Sequence, residues 1–143
     1  MQRYINELMR AFLSGQHSLS FYKKFAQYVH LRVFSKNEII FKEGDEAKTV
    51  CLLCKGEVLL IKRKDSQQFG LMETLKKNEI LGFASVVSHT NHNTSAIAKS
   101  KVYILEILKD ELQQFLNDYP KYHFALAQSL SKKILHYESM IVS

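Results

Sequence analysis

Between residues 30 and 107 the apolar residues come in short runs, and this texture constrains the fold more than any other feature of the chain. The runs are Val33-Phe34, Ile39 to Phe41, Val50 to Leu53, Val58 to Ile61, Ile80-Leu81, Ala96 to Ala98 and Val102 to Ile107. Polar or Gly-containing breaks separate them: Lys42 to Lys48, Lys55-Gly56, Lys62 to Gln68, Lys76 to Asn78 and Ser88 to Asn93. Many short β-rich segments with regular turn signals predict an antiparallel sandwich or barrel. Gly44, Gly56 and Gly82 fall at the breaks, where a backbone free to take positive φ is most useful. No unit repeats at a fixed period, and no Gly/Ser-rich linker divides the chain.

The flanks have a different period. Tyr4, Leu8 and Phe12 recur every four residues, and Tyr22, Phe25 and Val29 continue the pattern, predicting two short amphipathic helices within residues 1–29. Ser14-Gly15 breaks the first, and Ser18 or Ser20 caps the second by accepting an orphan backbone N–H. After the strands, Lys109 to Asn117 reads as a short helix with Leu112, Phe115 and Leu116 on one side. Pro120 ends it and opens the next helix, with Asp118 as the cap. Residues 121–142 would then span roughly 33 Å as one helix. Its residues Ala127, Leu130, Ile134, Tyr137 and Ile141 are spaced 3, 4, 3 and 4, a seam of period 3.5 that fits a coiled-coil dimer. The competing reading packs this face on the protein's own strands.

Composition narrows the function classes. At 143 residues and 46% hydrophobic, the chain makes one domain, residues 1–143, with one substantial core. No run approaches 18 apolar residues, and MQRYINELMR lacks the apolar stretch of a signal peptide, so neither a spanning helix nor secretion is expected. Two cysteines fit a reducing compartment, and the expected location is the cytoplasm. The net charge of +6 raises nucleic-acid binding, yet the basic residues are scattered. The run Lys62-Arg63-Lys64 reads as a solvated hairpin tip, since a nucleic-acid footprint needs clustering on one face.

Three stretches in order resemble the cyclic-nucleotide-binding domain of Crp/Fnr-type bacterial regulators, kinase regulatory subunits and cation channels. KNEIIFKEGD (36–45) is similar to that family's strand, turn and Glu-Gly-Asp. VCLLCKGEVLLIK (50–62) is similar to its hairpin with Gly between strands. NEILGFASVV (78–87) falls where the family has its phosphate-binding cassette. TSAIAKSKVYILEI (94–107), a short helix and a long one follow. The resemblance spans roughly residues 30 to 142. It implies a mainly β fold with flanking helices: an eight-stranded antiparallel β-roll (a double-stranded β-helix) over 30–107, N-terminal helices over 1–29, and C-terminal helices over 108–143. In the Crp/Fnr branch the long last helix is the dimer interface, so the resemblance implies a homodimer through it. That branch reaches DNA through a helix-turn-helix domain that these 143 residues do not carry.

The family cassette uses a Gly-Glu pair whose carboxylate meets the ribose 2′-OH. Backbone amides and an Arg meet the cyclic phosphate, whose charge demands a rigid cationic donor. The matching residues here are Gly82, Phe83, Ala84, Ser85, His92, Asn93, Thr94 and Ser95. Gly82 is kept, but Phe83 stands where the Glu belongs, and the Arg position falls on His92 or Asn93. An ordinary His is mostly neutral at pH 7 and is no bidentate partner. Each lost charged hydrogen bond costs about 1.5–3 kcal/mol, so two losses weaken binding roughly 10²- to 10⁴-fold. Binding of cAMP or cGMP in the usual mode is therefore not expected, while Thr94 and Ser95 with backbone amides remain able to hold a smaller anion. Two outcomes stay open. Either a pocket edged by Phe83, His89, His92 and Asn93 takes a different effector, such as a peptide or an aromatic acid, or Phe83 fills the nucleotide's space and no ligand binds. Phe83→Glu with His92→Arg is expected to restore nucleotide binding if the pocket is otherwise intact.

Other chemistry is weaker. Cys51 and Cys54 form C-x-x-C, but three residues apart on a strand they face opposite sides, so they read as small buried hydrophobes. His89 and His92 with Asn91 and Asn93 lack the His-x-His of metal-binding cupins, and no metal or other cofactor is expected. No nucleophile elbow, Walker loop or paired carboxylates argue for an enzyme. Asp110-Glu111 complements the N-terminal dipole of its helix. The sequence thus predicts an effector-binding domain of a Crp/Fnr-type transcription regulator. The alternatives are a stand-alone β-roll that docks a protein and, further off, a cupin-like metalloenzyme.

Overall fold

The computed structural model describes residues 3–6, 19–63, 69–124, 127 and 131. Residues 3–6 are helical. Then come helix α1 (Leu19–Phe25) and strands β1 (Val29–Phe34), β2 (Ile39–Phe41), β3 (Thr49–Lys55), β4 (Val58–Arg63), β5 (Phe69–Leu75) and β6 (Ile80–Leu81). Helix α2 (Phe83–Val87), strands β7 (Ser95–Ala98) and β8 (Val102–Leu108), and helix α3 (Lys109–Asp118) complete the order. The eight strands form two four-stranded sheets, β1-β8-β3-β6 and β2-β7-β4-β5, in which every pairing is antiparallel. This is the eight-stranded β-roll.

Strand β3 shows why two cores form. Its residues from Val50 to Cys54 are all buried, and successive side chains point to opposite faces. Cys51 and Leu53 enter the space between the sheets with Phe34, Val58, Leu81, Ala96, Ala98 and Ile104. Val50, Leu52 and Cys54 face the helices, packing with Phe25, Leu105, Ile107 and Phe115. Each large side chain so buried is worth about 1.5–3 kcal/mol. The helical layer is aromatic: Phe115 meets Phe25 edge-on at 4.9 Å and stacks on Tyr122 at 5.8 Å.

Several flanking details depart from expectation. Helix α1 stops at Phe25, and Val29 opens β1 opposite Ile107, so the helical spacing read through Val29 overran a turn at residues 26–28. Ser20 lies inside α1, and Ser18 lies outside the described residues. Strand β5 carries no clean apolar run, because Glu73 and Thr74 interrupt it; it forms as an edge strand by pairing with β4 from Val58↔Leu75 to Arg63↔Phe69. Helix α3 extends to Asp118, whose carboxylate accepts hydrogen bonds from Tyr28 Oη (3.0 Å) and Gln114 Nε2 (3.1 Å). It ties α3 down rather than capping the next helix. At the other end of α3, the Leu108 backbone N–H donates to Glu111 Oε1 at 3.4 Å, and His30 Nε2 lies 3.0 Å from the same oxygen.

One glycine is sterically fixed by the roll. Gly56 sits between β3 and β4 with φ +92, and a Cβ there would collide with the Lys101 carbonyl. Ala127 is helical and exposed; Leu130, Ile134, Tyr137 and Ile141 lie outside the described residues, as do the predicted positions Leu8 and Phe12. No helix among the described residues is long and apolar enough to cross a membrane.

Candidate functional site

The site is assembled where β6 hands over to α2. Gly82 makes the turn with φ +80, and a Cβ on it would lie 3.0 Å from the Thr49 carbonyl oxygen and 3.3 Å from His92 Cε1. Glycine is thus what allows β3 and the His92 ring to close on the same point. Helix α2 then divides its side chains. Phe83 (8% exposed) and Val86 (2%) enter the helical core, whereas Ala84 and Ser85 line a cavity on the other side.

The loop after α2 is positioned by backbone pairing. The Thr90 N–H and hydroxyl both donate to the Ser85 carbonyl, at 3.0 and 3.4 Å. Residues 91–92 then run antiparallel to the Glu43-Gly44-Asp45 turn. The Gly44 N–H donates to the His92 carbonyl and the His92 N–H to the Asp45 carbonyl, both at 2.8 Å, and Glu46 bridges to Asn91. Held this way, His92 is only 6% exposed. Its ring stacks on Phe41 with centroids 3.8 Å apart and planes within 9°. Burial pushes the His92 pKa down from its ordinary value, and the Asp45 carboxylate partly opposes that. Lys62 Nζ donates to the Asn93 carbonyl at 3.0 Å and anchors the far end of the loop.

The resulting cavity is about 150 Å³, lined by Phe41, Leu60, Ile80, Leu81, Gly82, Ala84, Ser85, His92, Asn93 and Thr94. Six of the eight sequence-predicted residues, Gly82, Ala84, Ser85, His92, Asn93 and Thr94, come together here. The other two do not. Phe83 is turned into the helical core by its place at the first position of α2, so it neither edges nor fills this cavity. Ser95 begins β7, and its Oγ accepts the Glu43 backbone N–H at 2.8 Å. It faces a separate depression of about 620 Å³ on the outside of the roll, lined with Ile39, Lys42, Arg63 and Ile97. His89, exposed with φ +55, also stays off the cavity. Sequence reasoning missed the apolar walls Phe41, Leu60, Ile80 and Leu81. The signal for Phe41 was its place directly before the Lys42-Glu43-Gly44 turn.

Among the described lining residues there is no arginine and no carboxylate. Pockets for drug-sized ligands run from about 300 Å³ upward, and this cavity is smaller.

Elsewhere, Cys51 and Cys54 are buried thiols, one in each core. Burial pushes the Cys51 thiol up to about 12, helped by the Glu106 carboxylate and opposed by a 3.6 Å contact with Thr49 Oγ1. Among the described residues no group of three or more His, Cys, Asp or Glu side chains is arranged to hold a metal ion.

A two-sheet roll with its turn glycine and one-turn helix at the β6 exit defines a class, and the family model agrees: residues 31–119 match the cyclic nucleotide-binding domain. The chain belongs to that family. It is similar to the global nitrogen regulator of Synechocystis sp., with 28% identity over 113 residues, covering 78% of this chain and 50% of that protein. It therefore spans about half the length of that curated relative. In structure it is similar to a cyclic nucleotide-binding domain from Methylobacillus flagellatus (TM-score 0.82, 20% identity, 99% of this chain and 84% of that one). It also resembles the Thermus thermophilus catabolite activator protein (TM-score 0.77, 18% identity, 92% and 61%).

Proposed function

We propose that this chain is the effector-sensing domain of a Crp/Fnr-type transcription regulator and that its effector is not a cyclic nucleotide. The carrying observation is the His92 ring, stacked on Phe41 and packed over Gly82, in a cavity of about 150 Å³ whose described lining residues include no arginine and no carboxylate. Similarity to a global nitrogen regulator supports the regulatory role. In this reading the domain binds rather than catalyses, and it works in the cytoplasm. An effector in the roll shifts the balance between two arrangements of the last helix, and thereby of the DNA-reading segment it serves.

The domain dimerises, in the same reading, through residues 121–142 along Ala127, Leu130, Ile134, Tyr137 and Ile141. Support comes from the exposure of Ala127 and of Phe124, which at 72% is the most exposed large apolar side chain among the described residues. Calorimetric titration with cAMP and with cGMP tests the effector claim. The expected result is no saturable heat; low-micromolar binding of either would overturn it.

A further inference from the structure

Lysines that are scattered along the sequence are gathered by the fold. Four connections meet at one end of the roll: residues 35–38 between β1 and β2, 55–57 between β3 and β4, 76–79 between β5 and β6, and 99–101 between β7 and β8. Hydrogen bonds lace them together. The Asn37 N–H donates to the Ala98 carbonyl at 2.7 Å, the Lys99 N–H to the Glu57 carbonyl at 2.9 Å, and the Asn78 N–H to the Leu53 carbonyl at 2.8 Å. The Glu57 N–H donates to Ser100 Oγ at 3.0 Å. Two of the turns share one build. Each reads Lys-Asn-Glu, at 36–38 and at 77–79, with the Asn at φ +75 and +76. In each, the Glu carboxylate accepts the backbone N–H three residues earlier, from Ser35 and from Lys76.

The result is a basic face. The four connections carry Lys36, Lys55, Lys76, Lys77, Lys99 and Lys101, all exposed, against three glutamates and no arginine or aspartate. Two of those glutamates are turned back on their own turns, and Glu57 is half-buried. Lys55 and Lys101 hold their Nζ atoms 5.5 and 5.8 Å from the centroid of the Tyr103 ring, which restricts two of the long side chains in advance. The connection at the opposite end, residues 42–48 between β2 and β3, has two lysines against three acids. The surplus therefore belongs to this end and not to the roll as a whole.

Like charges on one face repel one another, and a polyanion laid across them offsets that cost. Lysine is a point charge without the planar fork that reads a base edge bidentately, so such a face grips phosphates and ignores sequence. The exposed amides of Asn37 and Asn78 add donors of the kind that meet sugar and phosphate oxygens. None of the four connections carries an apolar side chain, as a face that inserts into a lipid surface would. We propose that this end of the roll lies against the backbone of duplex DNA and holds it without reading its sequence. The proposal rests on the reading of the chain as part of a transcription regulator, and gives this domain a DNA contact of its own.

The test is fluorescence anisotropy of a labelled duplex of roughly 20 base pairs and arbitrary sequence, titrated with the whole chain. A dissociation constant on the order of 10⁻⁵ M at about 50 mM salt is expected, weakening about tenfold for each doubling of salt if four phosphates are neutralised. Replacing one lysine in each turn, Lys36→Gln, Lys55→Gln, Lys77→Gln and Lys101→Gln together, should weaken binding more than about tenfold and flatten the salt dependence. Arginine at the same four positions should bind as the parent does, which assigns the loss to charge and not to misfolding. Lys23→Gln, Lys24→Gln, Lys42→Gln and Lys48→Gln together remove the same charge elsewhere and should cost less than about threefold. The inference falls if the parent does not bind at about 50 mM salt, if the glutamine set binds as the parent does, or if the distant set is as damaging. It falls too if phosphatidylserine vesicles retain the chain while the duplex does not. Low-micromolar cAMP binding would instead sink the effector reading and leave this contact standing, so the two failures are distinguishable.

Discussion

The imidazole of His92 lies flat on the ring of Phe41, 3.8 Å between centroids, although the two residues stand on opposite sides of the chain's middle zone. Backbone bonds on both sides of Gly44-Asp45 hold it there, so the stack is part of the roll and not a surface accident. That contact has consequences that can be measured.

The first concerns acidity. Because burial lowers the His92 pKa below its unfolded value, the unfolded chain takes up the proton first as pH falls. The stability associated with the neutral ring is therefore present above the ordinary histidine range and is lost as pH drops through the folded pKa. Denaturant midpoints taken from about pH 7.5 down to about pH 5 should fall more steeply for the parent than for His92→Gln. Equal slopes would mean that the ring is not desolvated as described.

A second expectation follows from the turn glycine. Gly82→Ala places a methyl group 3.0 Å from the Thr49 carbonyl oxygen while forcing a non-glycine residue to φ +80. A loss of about 1–3 kcal/mol is expected, read as a drop of several degrees in thermal midpoint. An unchanged midpoint would show that the turn relaxes.

The third replaces an expectation drawn from sequence. Phe83→Glu with His92→Arg is expected not to rebuild a nucleotide site, because Phe83 belongs to the core cluster that holds Phe25, Leu52, Leu105 and Phe115. A carboxylate there is buried without a designed partner, at a cost of several kcal/mol. The double variant should melt well below the parent and bind no cAMP by calorimetry. Recovery of micromolar affinity would mean that α2 rotates to present residue 83 to the cavity.

For the proposed dimer, Ile134→Asp puts a charge in the middle of the heptad pattern read from the sequence. Sedimentation at micromolar concentration should show dimers for the parent and monomers for the variant. A variant that stays dimeric would place the interface elsewhere.

The architecture was largely legible from residues, for identifiable reasons. Strand β3 announces itself because it is apolar on both faces, and the opposite facing of Cys51 and Cys54 follows from the two-residue period alone. Strand β5 was invisible because an edge strand with Glu73 and Thr74 and an exposed Met72 needs no apolar run. The cassette positions were found through family resemblance, but resemblance says nothing of which way a side chain turns. Phe83 and Ser85 are two apart on a one-turn helix, and helical geometry sends them to different sides. The burial of His92 depends on pairing between segments some 45 residues apart, Gly44-Asp45 with Asn91-His92, and no local pattern encodes that.

The five residues that follow Gly82 act as a party wall between two rooms. Ser85 and Ala84 form the plaster on one side, and Phe83 and Val86 are keyed into the masonry of the other. Because both sets of side chains hang from a single turn of backbone, any displacement of that turn carries the cavity lining and the aromatic packing along together. Neither chamber of this fold can be remodelled in private.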